Sequence, residues 1–161
     1  MDWGFPSVPN STLLILQISV SIKDLFRLGK EYPWRRPESC PRCGHVRLWG
    51  HGFVSAYFDG YWSPFWLRRY RCPSCRVIVR LRPAGYFQRF HASIETIRES
   101  LAFRITHYRW PPESSRQQQG HWLRSLLKKA KLYLGLDGFE GLMGAFDALM
   151  SQGITPVSRS F

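Results

Sequence analysis

CPRCGHVRLWGHGF (residues 40–53) and RRYRCPSC (residues 68–75) contain every cysteine of the 161-residue chain, arranged as two Cys-Pro-x-Cys pairs. A cysteine pair with two residues between its members bends back so that both sulfurs face one point. Two such pairs supply the four thiolates of a tetrahedral Zn²⁺ site. Cys40, Cys43, Cys72 and Cys75 are therefore the expected ligands of one structural Zn²⁺, with no thiol left over. The 28 residues between Cys43 and Cys72 exceed the usual spacing of such sites, and the excess fits three strands with a long hairpin between the two cysteine knuckles. Two disulfides are the competing reading, and they need an oxidising compartment.

The first ten residues carry Asp2 and no basic residue, so they do not read as a secretory signal. Apolar runs such as Leu13 to Leu16 fall far short of the roughly 20 residues that cross a bilayer. A soluble, cytoplasmic protein with no membrane partner is expected. The fold class expected is α+β: a small antiparallel β zinc ribbon, flanked by an N-terminal strand with a short helix and by a C-terminal helical unit. The corresponding segments are 1–37, 38–90 and 91–161.

Charge points to a polyanion. The chain has 23 Lys and Arg against 11 Asp and Glu, a formal net charge of +12, and four thiolates with one Zn²⁺ would bring this to about +10. From Arg35 to Arg89 there are eleven Arg, no Lys and two acids, Glu38 and Asp59. Guanidinium groups bind phosphate with two hydrogen bonds and stack on bases, which suits nucleic acid better than an ordinary solvated face does. A merely charged surface on a small ribbon is the plainer alternative.

Along the chain, Leu13 to Ile22 reads as a strand, with Ser21 capping a short helix from Ile22 to Leu28 closed at Gly29; one helix through the whole run is the competing reading. Tyr32 to Pro37 is a linker broken by two prolines. Strands are expected over Val46–Trp49, Phe53–Phe58, Phe65–Arg71 and Arg76–Leu81, with turns at Gly50-His51-Gly52 and Asp59-Gly60. In the last strand, alternation puts Val77 and Val79 on one face and Arg76, Ile78 and Arg80 on the other.

Helical periodicity then takes over. Ser93 caps a helix with Ile94, Ile97, Leu101, Ile105 and Tyr108 on one stripe, ended by Trp110-Pro111-Pro112. A second helix, about Ser115 to Leu134, puts Trp122, Leu123, Leu126, Leu127 and Ala130 on one face. Its cations are Arg116, Arg124, Lys128, Lys129 and Lys131, with no acid from Ser114 to Leu136. A third helix, Gly138 to Met150, has Asp137 as its cap and Phe139, Leu142, Met143, Phe146, Leu149 and Met150 on one side, a composition for core packing or a protein interface.

CPRCGHVRLWGHGF and RRYRCPSC, together with the lead-in ISVSIKDLFRLGKEYPWRRPESC (18–40), GHWLRSLLKKAKL (120–132) and GITPVSRSF (153–161), resemble an uncharacterised bacterial family of zinc-ribbon proteins associated with transposons and insertion sequences. The resemblance implies a DNA-binding ribbon, Cys40, Cys43, Cys72 and Cys75 as metal ligands, a helix-turn-helix-like unit after the ribbon, and a transposase or other protein subunit as companion. Two departures stand out. Arg76 follows the second knuckle where Gly44 follows the first, and the two-proline connection from Tyr108 to Ser114 is longer than a regular helix-turn-helix turn of about 3 to 4 residues.

A four-thiolate site has no open position, so the metal is expected to hold the fold rather than do chemistry. His45 and His51 read as surface or phosphate-contacting histidines. Arg68, Arg69, Arg71, Arg80 and Arg82 of the ribbon, with Arg116, Arg124, Lys128 and Lys129 of the second helix, are the expected nucleic-acid contacts, double-stranded DNA being the expected partner and the nucleoid the expected location. The rings of Tyr57, Phe58, Tyr61, Trp62, Phe65, Trp66 and Tyr70 read as ribbon core or as stacking surfaces for unpaired bases. Strand-transfer catalysis needs about three carboxylates on two Mg²⁺ ions. The acids beyond position 100 are only Glu113, Asp137, Glu140 and Asp147, so the chain reads as non-enzymatic. A protein-interaction adaptor and a single-stranded RNA or DNA binder are the alternative functions.

Overall fold

The computed structural model describes residues 12–159 of a mixed α+β chain that divides after Ala84 into two compact units. The boundary falls before the expected 90/91 junction, and the first strand is no separate segment, because it is hydrogen-bonded into the sheet of the first unit.

That unit runs β1 (Leu13–Ile18), α1 (Ile22–Leu28), a 3-10 turn (Gly29–Glu31), β2 (Trp49–Ala56), β3 (Phe65–Arg71) and β4 (Ile78–Pro83). The sheet order is β1-β4-β3-β2. β2, β3 and β4 pair antiparallel, whereas β1 adds to β4 in parallel. A parallel neighbour needs a long crossover, and everything between β1 and β4 supplies it. Ser21 caps α1 by accepting a hydrogen bond from the Asp24 amide, and Gly29 closes it at φ +56°, as its sequence predicts.

The expected turn at Gly50-His51-Gly52 is instead a bulge inside one continuous strand. Pairing passes from Gly50 opposite Tyr70 to Phe53 opposite Arg68, which leaves His51 and Gly52 against Arg69 alone. Gly52 sits at φ +72°, a conformation glycine adopts without a Cβ penalty, so the chain bends without ending its ladder. Val46 to Leu48 therefore precede β2, and Phe58 lies beyond its end, buried all the same.

Alternation and register sort the sheet into two faces. Leu14, Leu16, Ile18, Val79, Leu81 and Tyr70 lie on one, in a core that also holds Leu48, Val77, Trp34, Cys40 and Cys72. On the other lie Ile15, Arg80, Arg69, Leu67 and Phe65. At the end of the β2–β3 hairpin, Phe26 of α1 meets Tyr61, Trp62 and Phe65 with ring centroids 4.9, 5.5 and 5.4 Å apart. This cluster joins helix to sheet.

The second unit contains α2 (Ile94–His107), α3 (Arg116–Leu134) and α4 (Leu142–Ser151). Ser93 and Ser115 cap α2 and α3 through the amides of Thr96 and Gln118. Ile97, Leu101, Trp122, Leu126, Ala130, Leu142, Phe146 and Leu149 form the core. Four expectations fail here. Tyr108 leaves the apolar stripe, lying 82% exposed in a left-handed C-cap. The last helix begins at Leu142, after Gly138 at φ +78° and Gly141 at φ +69°; Asp137 does not cap it but pairs with Lys131 at 3.2 Å. Phe139, which precedes the helix, and Met150, near its end, lie outside the core, exposed.

One polar residue organises the α2–α3 connection. The side chain of Gln119 is fully buried; its carbonyl accepts from Ser100 Oγ at 2.5 Å, and its amide donates to the carbonyls of Pro111 and Ser114 at 3.1 and 2.6 Å. Arg98 of α2 grips Asp147 of α4 with two hydrogen bonds of 3.0 and 2.8 Å and holds its carboxyl below the usual range. The pair is half exposed, so it contributes at most about 1 kcal/mol.

Candidate metal centre and basic sheet faces

Cys40 and Cys72 open two knuckles built alike. In the first, Cys40 N donates to His45 O and Gly44 N to Cys40 O, both at 2.9 Å; in the second, Cys72 N donates to Val77 O and Arg76 N to Cys72 O, both at 3.0 Å. Gly44 and Arg76 occupy equivalent left-handed positions, at φ 76° and 64°. The second knuckle has no glycine at this position. It keeps the same hydrogen bonds, at a conformational cost of about 1 to 2 kcal/mol. A Cβ on Gly44 would meet nothing within 4 Å, so only backbone strain opposes a side chain there. Gly44→Ala is expected to lower the stability of the metal-bound first unit by about 1 kcal/mol, while Arg76→Gly raises it by about 0.5 kcal/mol once glycine's larger unfolded-state entropy is counted. Melting curves of the two variants in parallel check the opposite signs.

The knuckles bring all four sulfurs within 4.8 Å of one another, with Cys40 Sγ to Cys75 Sγ at 3.6 Å and Cys43 Sγ to Cys72 Sγ at 3.5 Å. All four cysteines are free thiols. Metal–sulfur bonds of about 2.3 Å in a tetrahedron put the sulfurs about 3.8 Å apart, so the cluster fits one ion with four thiolate ligands. The protonation chemistry agrees. A hydrogen bond from the backbone of His45 draws Cys43 down to about 6, whereas desolvation pushes Cys75 up to about 12. Four thiolates this close ionise together only around a cation. Among the described residues, no histidine or carboxylate joins the group.

Each arginine of the sheet has a definite place. Arg68 is spent internally: its guanidinium lies 4.9 Å from the Phe53 ring centroid and 5.4 Å from that of Tyr70. Lys30 over Trp66 at 4.4 Å and Arg36 over Tyr70 at 5.6 Å extend this ladder of alternating cations and rings. Because cations cover these ring faces, Trp66, Phe53 and Tyr70 are poor platforms for bases. Of the other rings, Phe58 and Phe65 are core, while Tyr57 and Trp62 are exposed. Arg82 was expected on the surface; it is 7% exposed, 5.2 Å from the centre of the Phe58 ring. Arg71 is exposed, and Arg69 and Arg80 are half-buried neighbours on the opposite face from Arg68.

On α3, Arg116, Arg124 and Lys128 are exposed. Lys129 is not available in the same way: its ammonium donates to the carbonyls of Thr155 and Val157 at 2.6 and 3.4 Å and ties down the C-terminal segment. The roles of Lys30, Arg36 and Gln119 left no mark in the sequence, since they depend on which ring or carbonyl the fold brings near. Among the described residues, no helix is long and apolar enough to cross a membrane. The chain matches no model of a known protein family, no curated protein and no solved structure.

Proposed function

We propose that this chain is a zinc-ribbon DNA-binding protein with a non-catalytic accessory, regulatory or end-recognition role in a mobile element, working in the cytoplasm at the nucleoid beside a transposase or similar subunit. The metal is Zn²⁺, and β2, β3 and β4 with their two knuckles are the ribbon. The observation that carries the reading is the closed four-sulfur cluster set in a sheet whose strands carry Arg69, Arg71 and Arg80. A site with every ligand position filled by protein serves architecture, and the architecture displays cations.

α2 and α3 form the helix-turn-helix-like part of the proposal, with an eight-residue connection, 108–115, in place of the usual short turn. Arg116, Gly120, Arg124 and Lys128 follow one another at four-residue intervals along α3, opposite the buried stripe of Trp122, Leu126 and Ala130. This ridge is suited to lie along a groove with its cations on backbone phosphates.

Binding of the zinc-loaded chain to duplex DNA is expected to weaken steeply with salt. Arg124→Gln and Lys128→Gln should each lower the log–log slope by about 1, while Lys129→Gln leaves it unchanged. Slopes equal to the parent's in both of the first two variants would remove the helix from the interface. A second reading, a protein-interaction adaptor, is favoured by one observation: Leu132, Tyr133, Leu136 and Phe139 are exposed together around the end of α3. Association with a protein subunit but not with duplex in size-exclusion chromatography would select it.

A further inference from the structure

Arg69 of β3 and Arg80 of β4 are direct cross-strand partners. Like charges so placed destabilise a sheet, yet both are kept, half-buried. The Nε of each is buried with no hydrogen-bond partner. Among the described residues neither guanidinium lies in an ion pair: the four that form join Arg27 to Asp24, Arg35 to Glu38, Arg98 to Asp147 and Lys131 to Asp137. Burial first, and then the charge of Arg69, lower Arg80 below the ordinary arginine value.

The row continues on both sides. Ile15 of β1 stands opposite Arg80, and the β2 bulge stands opposite Arg69. There Gly52 leaves open the place where a Cβ would sit 3.8 Å from Arg69 Nη2. A bulge at such a point re-aims the strand around a neighbouring side chain. Two guanidiniums held side by side in a partly desolvated row are a receptor for an external oxyanion, and their planar donor forks match phosphate.

We propose that Arg69 and Arg80 together clamp a single phosphate of a nucleic-acid backbone on this face of the sheet. The source of the phosphate rests on the DNA-binding reading above; the clamp itself rests on the pair. Arg68, next in sequence but on the opposite face and already stacked on Phe53 and Tyr70, takes no part.

Inorganic phosphate is titrated into the metal-loaded full chain at constant ionic strength, with arginine Nε–H resonances and melting temperature as readouts. Phosphate is expected to shift two such resonances and raise the melting temperature. In R69Q and R80Q its apparent affinity should fall at least tenfold, while R68Q behaves as the parent. In phosphate-free, low-salt buffer R80Q should melt no lower than the parent, because the like-charge pair is gone; a purely structural arginine would lower it. For duplex DNA, R69Q and R80Q should each reduce the salt slope by about 1.

A parent response to phosphate no different from that of R69Q and R80Q overturns the clamp. Duplex binding whose slope is unchanged in both variants also overturns it, and leaves the DNA reading standing. A phosphate response that depends on both arginines, without duplex binding but with binding to phosphatidylglycerol vesicles, overturns the nucleic-acid source.

Discussion

Stripping the metal from the full chain with a chelator is expected to unfold the first unit and leave the second folded. The reason is where the cysteines sit. Cys40 and Cys72 are buried, 2% and 0% exposed, in the same core as Leu48, Val77, Val79, Leu81 and Tyr70. Without a cation, four crowded sulfurs cannot all ionise, and the knuckle hydrogen bonds alone hold the loops that cover that core. A structural Zn²⁺ contributes about 10 kcal/mol or more of apparent free energy at neutral pH, more than so small a core supplies without help. The core of the second unit contains no cysteine. Amide resonances of residues 12–84 should collapse on chelation and return with Zn²⁺, while those of 85–159 keep their positions. Cys72→Ser should reproduce the collapse in the presence of metal. A first unit that keeps its dispersion after complete removal of metal would show that packing, and not coordination, holds it.

Gln119→Leu is expected to produce the other large loss, this time confined to the second unit. Leucine fills nearly the same volume, so the effect isolates hydrogen bonding. It would leave the Ser100 hydroxyl and the carbonyls of Pro111 and Ser114 without the partner they have now. Unsatisfied buried groups cost about 1 to 3 kcal/mol each, partly relieved here by water reaching Ser114, so a total of about 2 to 4 kcal/mol is expected. For a unit of this size the melting temperature should fall by about 10 °C or more. Adding Ser100→Ala removes one orphaned group and should recover about 1 kcal/mol. Full additivity of the two changes would mean that the Ser100–Gln119 bond carries no coupling.

Features set by near neighbours in the chain are legible in the sequence itself. The capping of α1, α2 and α3 by Ser21, Ser93 and Ser115 needs only a side-chain oxygen three residues from an amide. The grouping of the four cysteines follows from pair spacing alone. Val77 and Val79 turn inward, as alternation requires. The expectations that fail depend on pairing or tertiary contact. Gly50-His51-Gly52 has the composition of a turn and becomes a bulge because Tyr70 and Arg68 offer ladder partners on either side of it. Asp137 looks like a cap and pairs with Lys131, while two left-handed glycines delay the last helix to Leu142. The division of labour among the arginines is equally hidden: Arg68 and Arg69 are adjacent in sequence, but the pleat sends one onto aromatic rings and the other toward Arg80.

The parallel pairing of β1 with β4 bears on how the chain is made. Leu13 finds its partner in Ile78, 65 positions later, so during synthesis the run LLILQI emerges first and waits, with no neighbour, until β4 has left the ribosome. Six residues, five of them apolar and none charged, are the kind of segment that self-associates when left bare. Slow translation across residues 19–77 is therefore expected to increase aggregation of the nascent chain, and a charge placed at the outward Gln17 to reduce it.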